Sequence, residues 1–372
     1  MTGTTSWIPC DLLEDFIVDV FKGVGVPDAD ARVCADVLIA ADRRGIDSHG
    51  VGRLKLIYYD RIVKSKIQKP VTEFEIVRDC KAAAVVDGHH GMGMVIAKRC
   101  MEMAMEKART HGIGMVAARN STHYGYAAHY PLMAAKAGMI GVTGTNARPS
   151  IAPTHSTENM LGTNPLVFAI PTDEPFAFTN DYATSIIQRG KIEQYAREGL
   201  ICPEGLVIDF EGRTETDPSK ILEDLIKGRS ALTPLGGLGE ETGGYKGYGF
   251  ATVVEILSAA LQQGSFLKQL SGFDDQGRAI PYALGHFFMA IDIECFTDID
   301  AFRKTTGDIL RALRAARKVP GAERIYTCGE KEYFAGLERA TQGIPVDPVI
   351  QKELCVMRDE LGLPYSFPFE TA

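Results

Sequence analysis

The chain has 372 residues, 45% of them hydrophobic and 24% charged, with a formal net charge of -8. That length exceeds one ordinary core, so two or three domains are expected, and an acidic balance without a basic stripe speaks against nucleic acid as a partner. No apolar run reaches membrane-spanning length, and the opening MTGTTSWIPCDLLEDF lacks the basic and apolar regions of a secretory leader, so a cytoplasmic protein with no membrane partner is expected.

The eight cysteines are scattered, with no CxxC pair, which reads as reduced thiols. No HExxH or Cys–His zinc spacing is present, and no metal is expected.

Residues 10–21 set Leu12, Leu13, Phe16, Ile17, Val20 and Phe21 at helical spacing, and Gly23 and Gly25 end the run. Pro27 opens a second helix over 28–42, and Gly45 breaks it. Asp47 or Ser48 is then placed to cap a helix running to about Val63. On that helix His49 and Arg53 are four apart and share a face. A hydroxyl, an imidazole and a guanidinium at one helix start suit a small anion, the guanidinium offering a planar fork for a carboxylate. The same residues also make an ordinary capped surface helix.

The character changes near Pro70. Residues 74–77 and 82–86 read as strands, 91–111 as a long helix, 115–118 as a strand and 127–137 as a helix. Strands are expected at 140–145, 166–170 and 176–180, with a polar loop over 146–164. Helices follow over 183–198 and 218–227. The glycine-rich stretch 233–249 reads as a loop that brings backbone close to something. An apolar helix over 250–261 leads to a strand over 287–295, apolar on both faces and therefore central. Helices over 299–318, 331–340 and 346–361 close the chain. The terminal segments 1–70 and 300–372 are thus expected to pack together as one helical domain beside an α/β domain of 71–299.

Two glycine motifs fail as nucleotide signatures. Gly112-Ile-Gly114-Met-Val-Ala117 matches G-x-G-x-x-A, but it ends a helix and begins a strand, the reverse of a Rossmann turn. Gly239 and Gly244 have P-loop spacing, but Tyr245 stands where the lysine belongs. What remains is Lys246-Gly247-Tyr248-Gly249 before an apolar helix, where backbone amides and one lysine suit a phosphate and where a plain surface loop is the rival reading. Asn120-Ser-Thr-His123-Tyr-Gly125 lies between a strand and a helix, where α/β proteins place ligands, and His123 is a candidate proton carrier or a structural histidine. Asp181 at a strand end is an N-cap, a partner for an imidazole, or a ribose ligand.

DSHGVGRL, NSTHYG, GTNPLVFAIP, NDYATS and KGYG occur in that order along the chain. In these motifs, over nearly its whole length, the chain resembles the malate/L-lactate dehydrogenase family of the non-Rossmann type, a group that includes ureidoglycolate and sulfolactate dehydrogenases and cyclic imino-acid reductases. The resemblance implies a mixed α/β fold: a non-Rossmann nicotinamide-binding domain with a large mixed sheet, plus an all-helical domain from both chain ends. It implies a homodimer, and NAD or NADP as cofactor. His123 matches the catalytic histidine, which gives a proton to the carbonyl oxygen in reduction and takes it back in oxidation. Arg53 matches the carboxylate grip, with Ser48 and His49 at the same end. Asn146, Ala147, Asn180, Asp181 and Tyr182 fall where the family meets its cofactor, and Lys246 and Gly247 fall in the loop closing on it.

The glycine-rich loop is longer than the family's usual form, and Asn180-Asp181-Tyr182-Ala183 stands in place of F-D-M-A. Malate and oxaloacetate are the expected pair, a small carboxylate whose second acidic group needs a further cation such as Arg148 or Lys246. A cyclic imino acid is the alternative on the same scaffold. Readings of other classes are a metal-dependent hydrolase using His123, His129 and Asp181, and a catalytically silent binding protein.

Overall fold

A computed structural model describes residues 4–370. Strand β1 (Ser6–Ile8) leads into helices α1 (Cys10–Gly23) and α2 (Asp28–Arg43), which pack on each other. The apolar stripe of α1 buries Leu13, Phe16, Ile17, Val20 and Phe21, as its spacing predicts.

The next stretch departs from expectation. The single helix predicted after Ser48 is instead two 3-10 turns, Asp47–His49 and Val51–Arg53, a π turn Leu54–Tyr59, and the short helix α3 (Asp60–Val63). No side chain caps the first turn, so neither Asp47 nor Ser48 plays that part. The cause lies beneath it. The buried Asp42 carboxylate accepts the Val51 N–H at 2.8 Å, and a Cβ on Gly50 would stand 1.7 Å from Asp42 Oδ1. The amide that a helix needs is thus taken by a side chain, and only glycine lets that carboxylate in.

The middle of the chain builds the sheet. Strands β2 (Glu75–Cys80) and β3 (Ala83–Asp87) precede helix α4 (Gly93–His111), followed by β4 (Ile113–Ser121), α5 (His129–Lys136), β5 (Met139–Thr145), β6 (Leu166–Ile170) and β7 (Phe178–Tyr182). A separate small unit comes next: α6 (Arg189–Glu198), β8 (Val207–Asp209), α7 (Pro218–Lys227) and β9 (Ser230–Leu232). It has its own core of Ile192, Val207, Ile221 and Leu232 with Ile151 and Leu161. The helix predicted from residue 183 begins only at Arg189, because Thr184 and Ile186 give their amides to the carbonyls of Thr163 and Thr233. Helix α8 (Gly244–Ala259) then covers the sheet before β10 (Leu284–Asp292) enters it.

The sheet has seven strands in the order β2-β3-β4-β10-β5-β6-β7. Only β3 and β4 are parallel; the other pairings are antiparallel. This mixed sheet with β10 at its centre is not a doubly wound Rossmann sheet. Gly112 ends α4 with φ +81, and β4 follows, the order that the motif's context predicts.

Helices α4 and α5 lie on one face, where Val116, Ala118, Val167, Phe288 and Ala290 join a cluster that continues through α1, α2 and the 51–59 turns. On the other face α8 packs Val254 and Leu257 against Val142 and Phe287. The chain closes with α9 (Ile299–Arg314), α10 (Glu330–Gln342), β11 (Ile344–Val346) and α11 (Pro348–Leu361). Pairing of Ser6 with Val346 brings the first and last segments together.

Register decides where the site falls. Leu284 stands opposite Ser121, His286 opposite Thr145, Gly144 opposite Leu166, and Leu166 opposite Tyr182. One end of the sheet therefore carries the 120–125 turn, Asn146, Asn164 and residues 180–182.

Candidate active site

His123 sits in the turn between β4 and α5. The turn is held from below by Gly93, whose N–H donates to Thr122 Oγ1 at 2.9 Å and where a Cβ would come within 2.6 Å of His123 O. Its far end is held by Asp181, which accepts the Ala128 N–H at 3.1 Å. Asp181 therefore fixes the start of α5, not the imidazole ring.

Tyr58 Oη lies 2.7 Å from His123 Nδ1, and the Gly125 N–H donates to the same nitrogen at 3.3 Å. The His49 ring stacks on His123 with centroids 6.0 Å apart and planes 14° apart, and Ser48 Oγ is 2.9 Å from His49 Nδ1. Arg53 Nε donates to Ser48 O, and no carboxylate of the described residues forms an ion pair with this guanidinium. Ser48, His49, Arg53 and His123 are thus brought together, though by irregular turns and not along one helix face.

Burial pushes the His123 imidazole well below the usual histidine range, and the charges of His49, Arg61 and Arg53 push it the same way. His49 is lowered to about 4 by burial and by Arg53. Both rings are neutral at pH 7, so the free site holds a base beside a positive charge.

Three residues that sequence reasoning missed belong here. Tyr58 reads in sequence as one more apolar stripe position; only the π turn aims it at His123. His286 on β10 bridges Thr145 Oγ1 and Ser121 Oγ, 2.7 Å from each, and stacks on Tyr124 at 4.6 Å. Burial lowers it to about 3, and it ties three strands together behind the His123 turn. Its period-two register with Phe288 and Ala290 was the available signal. Arg61 on α3 lies over the Tyr282 ring with Cζ 4.5 Å from the centroid.

The residues expected at the cofactor are divided. Asn146 is fully buried; its amide donates to Ser265 O at 3.0 Å and accepts the Gly285 N–H at 2.8 Å. The Ala147 N–H donates to Asn164 Oδ1 at 3.2 Å, and Asn164 Nδ2 donates to Glu255 on α8 at 2.8 Å. On β7, Asn180 and Tyr182 pair with the α8-facing Phe168 and Leu166, whereas Asp181 pairs with Val167 on the other face. Lys246 and Gly247 are in the first turn of α8, not in a loop. The glycines here pack backbone on backbone: a Cβ on Gly244 would stand 2.0 Å from Gly237 O, and one on Gly247 2.1 Å from Leu235 O. Lys246 is exposed, at an N-terminus that no side chain caps. An apolar cleft of about 690 Å³ runs beside it, between Met160, Leu161, Tyr248, Ile256 and Phe266.

His129 pairs with Asp36 at 3.6 Å, and His123, His129 and Asp181 form no cluster of metal-ligating side chains among the described residues.

A half-buried imidazole beside a guanidinium without an acidic partner, at the end of a sheet that is not Rossmann, has the groups that proton transfer on a small carboxylate needs. The family model described as malate/L-lactate dehydrogenase matches residues 8–355, and the chain belongs to that family. It is 42% identical to a malate dehydrogenase of Pyrococcus horikoshii over 96% of each chain, and 36% identical to an L-sulfolactate dehydrogenase of Methanocaldococcus jannaschii over 93% of this chain and 95% of that one. The crystal structure of a malate dehydrogenase from Entamoeba histolytica superposes with a TM-score of 0.94 at 41% identity, covering 98% of this chain and 100% of that one. The protein is therefore an oxidoreductase of the hydroxy-acid dehydrogenase class, and its dehydrogenase relatives imply a nicotinamide cofactor. No helix among the described residues is long and apolar enough to cross a membrane.

Proposed function

We propose that the enzyme interconverts a small 2-hydroxy acid and its 2-oxo acid, malate and oxaloacetate first, with NAD or NADP. The observation that carries this is the Tyr58–His123 hydrogen bond beside an Arg53 guanidinium with no acidic partner. Arg53 takes the substrate carboxylate in a two-pronged grip and so orients the neighbouring carbon. In oxidation, neutral His123 accepts the hydroxyl proton at Nε2. That requires the hydrogen on Nδ1, donated to Tyr58 Oη in place of accepting the Gly125 N–H, and the same bond persists once the ring is an imidazolium. In reduction the imidazolium returns the proton to the carbonyl oxygen. When bound, the nicotinamide ring supplies or takes the hydride.

The residues present fit such a cofactor. Lys246 and the uncapped first turn of α8 would hold its phosphates, and the apolar cleft beside Tyr248 suits its adenine. A homodimer belongs to the same reading, supported by Phe250, Val253 and Ile256, which α8 leaves about half exposed. The eight cysteines are free, which supports a reducing cytoplasmic setting.

The test offers oxaloacetate, pyruvate and a cyclic imine side by side, each with NADH and with NADPH. Turnover of a 2-oxo acid supports the reading. Turnover of the imine alone overturns it in favour of an imino-acid reductase.

A further inference from the structure

A dicarboxylate brings two negative charges, and Arg53 answers one. Lys246 is exposed on α8, and the charges that act most strongly on His123 are those of His49, Arg61 and Arg53. Arg61 is different in three respects. It follows Tyr58 by one helical turn, on the segment that delivers Tyr58 to His123. Its charge acts on both His123 and Tyr58, as that of Arg53 does. It is half-buried, yet no carboxylate of the described residues pairs with it, whereas most other arginines of the described residues, Arg32, Arg43, Arg99 and Arg119 among them, have acidic partners.

A half-buried guanidinium with no counter-charge is costly, and Arg148 adds a second positive charge close by. The guanidinium nonetheless has a built seat: its Cζ lies over Tyr282, 4.5 Å from the ring centroid, and the Tyr282 ring is itself packed against Gly272, where a Cβ would stand 2.6 Å from it. A positive group seated on an aromatic ring and kept without an acidic partner next to a reacting imidazole has the electrostatics of an anion subsite that a ligand completes.

We propose that Arg61 binds the second acidic group of the substrate, the one remote from the reacting carbon, and so sets the preference for dianionic over monoanionic 2-oxo acids. This rests on the 2-hydroxy-acid reading above and adds to it the substrate class: a short chain carrying a carboxylate or a group of like charge at the far end. Arg148 adds field from the exposed side and makes no fixed contact.

The test compares kcat/KM for oxaloacetate and for pyruvate in the wild type, Arg61→Met, Arg61→Lys and Arg148→Met. The wild type favours oxaloacetate. In Arg61→Met the oxaloacetate value falls roughly 100-fold while the pyruvate value stays within about threefold. Arg61→Lys keeps the charge without the fork and falls in between. Arg148→Met loses less than about tenfold. Equal losses on both substrates in Arg61→Met overturn the proposal, as does a loss of preference that follows Arg148 instead. If Arg61→Met does not fold, Arg61→Lys decides: an oxaloacetate-to-pyruvate ratio unchanged from wild type refutes the assignment. Should the wild type reduce only a cyclic imine, the reading beneath the proposal has failed, and that result is seen before any variant is made.

Discussion

Replacing Tyr58 by phenylalanine removes one oxygen and little else. The side chain is fully buried, and its ring meets Phe21 edge-on at 5.9 Å and His123 at 5.8 Å, contacts that phenylalanine keeps. What is lost is the 2.7 Å hydrogen bond to Nδ1. The Gly125 N–H, which donates to Nδ1 at 3.3 Å in the free site, is no substitute: it must give way whenever Nδ1 carries the hydrogen that Tyr58 Oη accepts. With an imidazolium on one side the bond is charge-assisted and worth about 1.5–3 kcal/mol, which corresponds to roughly 10- to 150-fold in rate. The expected result is a fall of that size in kcat for either direction, with KM within about threefold, because Arg53 is untouched. Steady-state kinetics read this, and urea unfolding should show a stability change of only about 1 kcal/mol. A Tyr58→Phe enzyme with kcat within about threefold of wild type would refute the assignment of Tyr58 as the group that holds the ring.

Three further outcomes follow from the same geometry. Arg53→Lys keeps the charge but loses the planar fork, so kcat/KM for oxaloacetate should fall about 100-fold with most of the change in KM; an unchanged KM sinks the carboxylate grip. In the free enzyme His123 lies below the ordinary value of 6.5, so the acid limb of kcat/KM for malate oxidation should lie below pH 6.5; a limb at or above that pH contradicts the charge environment described. Burial raises Asp42 from 3.8 to about 8, so the folded chain keeps a proton that the unfolded chain has lost. Stability is then greatest below about pH 4 and declines towards about pH 8, by about 1.4 kcal/mol per pH unit from this group. Asp42→Asn should abolish that part of the slope in denaturant titrations at pH 5 and pH 7.5, and an unaltered slope would show that Asp42 titrates normally.

The parts legible in sequence are those whose signals are local. Helix α7 spans Pro218–Lys227 as read, because Asp217 caps it, Pro218 occupies its first position and Gly228 ends it in the left-handed region. Strand β6 is Leu166–Ile170 as read, and the central place of β10 follows from its two apolar faces. The backwards Gly112 motif excluded a Rossmann sheet on context alone.

The parts that were not legible depend on contacts between distant residues. The turn at 47–59 looks helical until the Asp42 carboxylate, several residues back, claims the Val51 amide. The glycines of 236–247 read as a cradle for a ligand, yet they allow the chain to lie on its own backbone, which starts α8 six residues before the predicted point. Asn146 falls at the cofactor position of the family, but its amide is spent on Ser265 and Gly285. The structure brings His123, Ser48, His49 and Arg53 together, a grouping that two short motifs made visible in sequence. Arg61 carries no motif, and its lack of an acidic partner is visible only in three dimensions.

The most direct test of the central claim is nicotinamide absorbance with oxaloacetate, wild type beside His123→Ala, with cofactor binding followed separately by fluorescence. The account predicts that the wild type consumes NADH or NADPH, and that His123→Ala still binds the cofactor but loses about 10³-fold or more in kcat. A His123→Ala enzyme that reduces oxaloacetate within about threefold of the wild-type rate would contradict it.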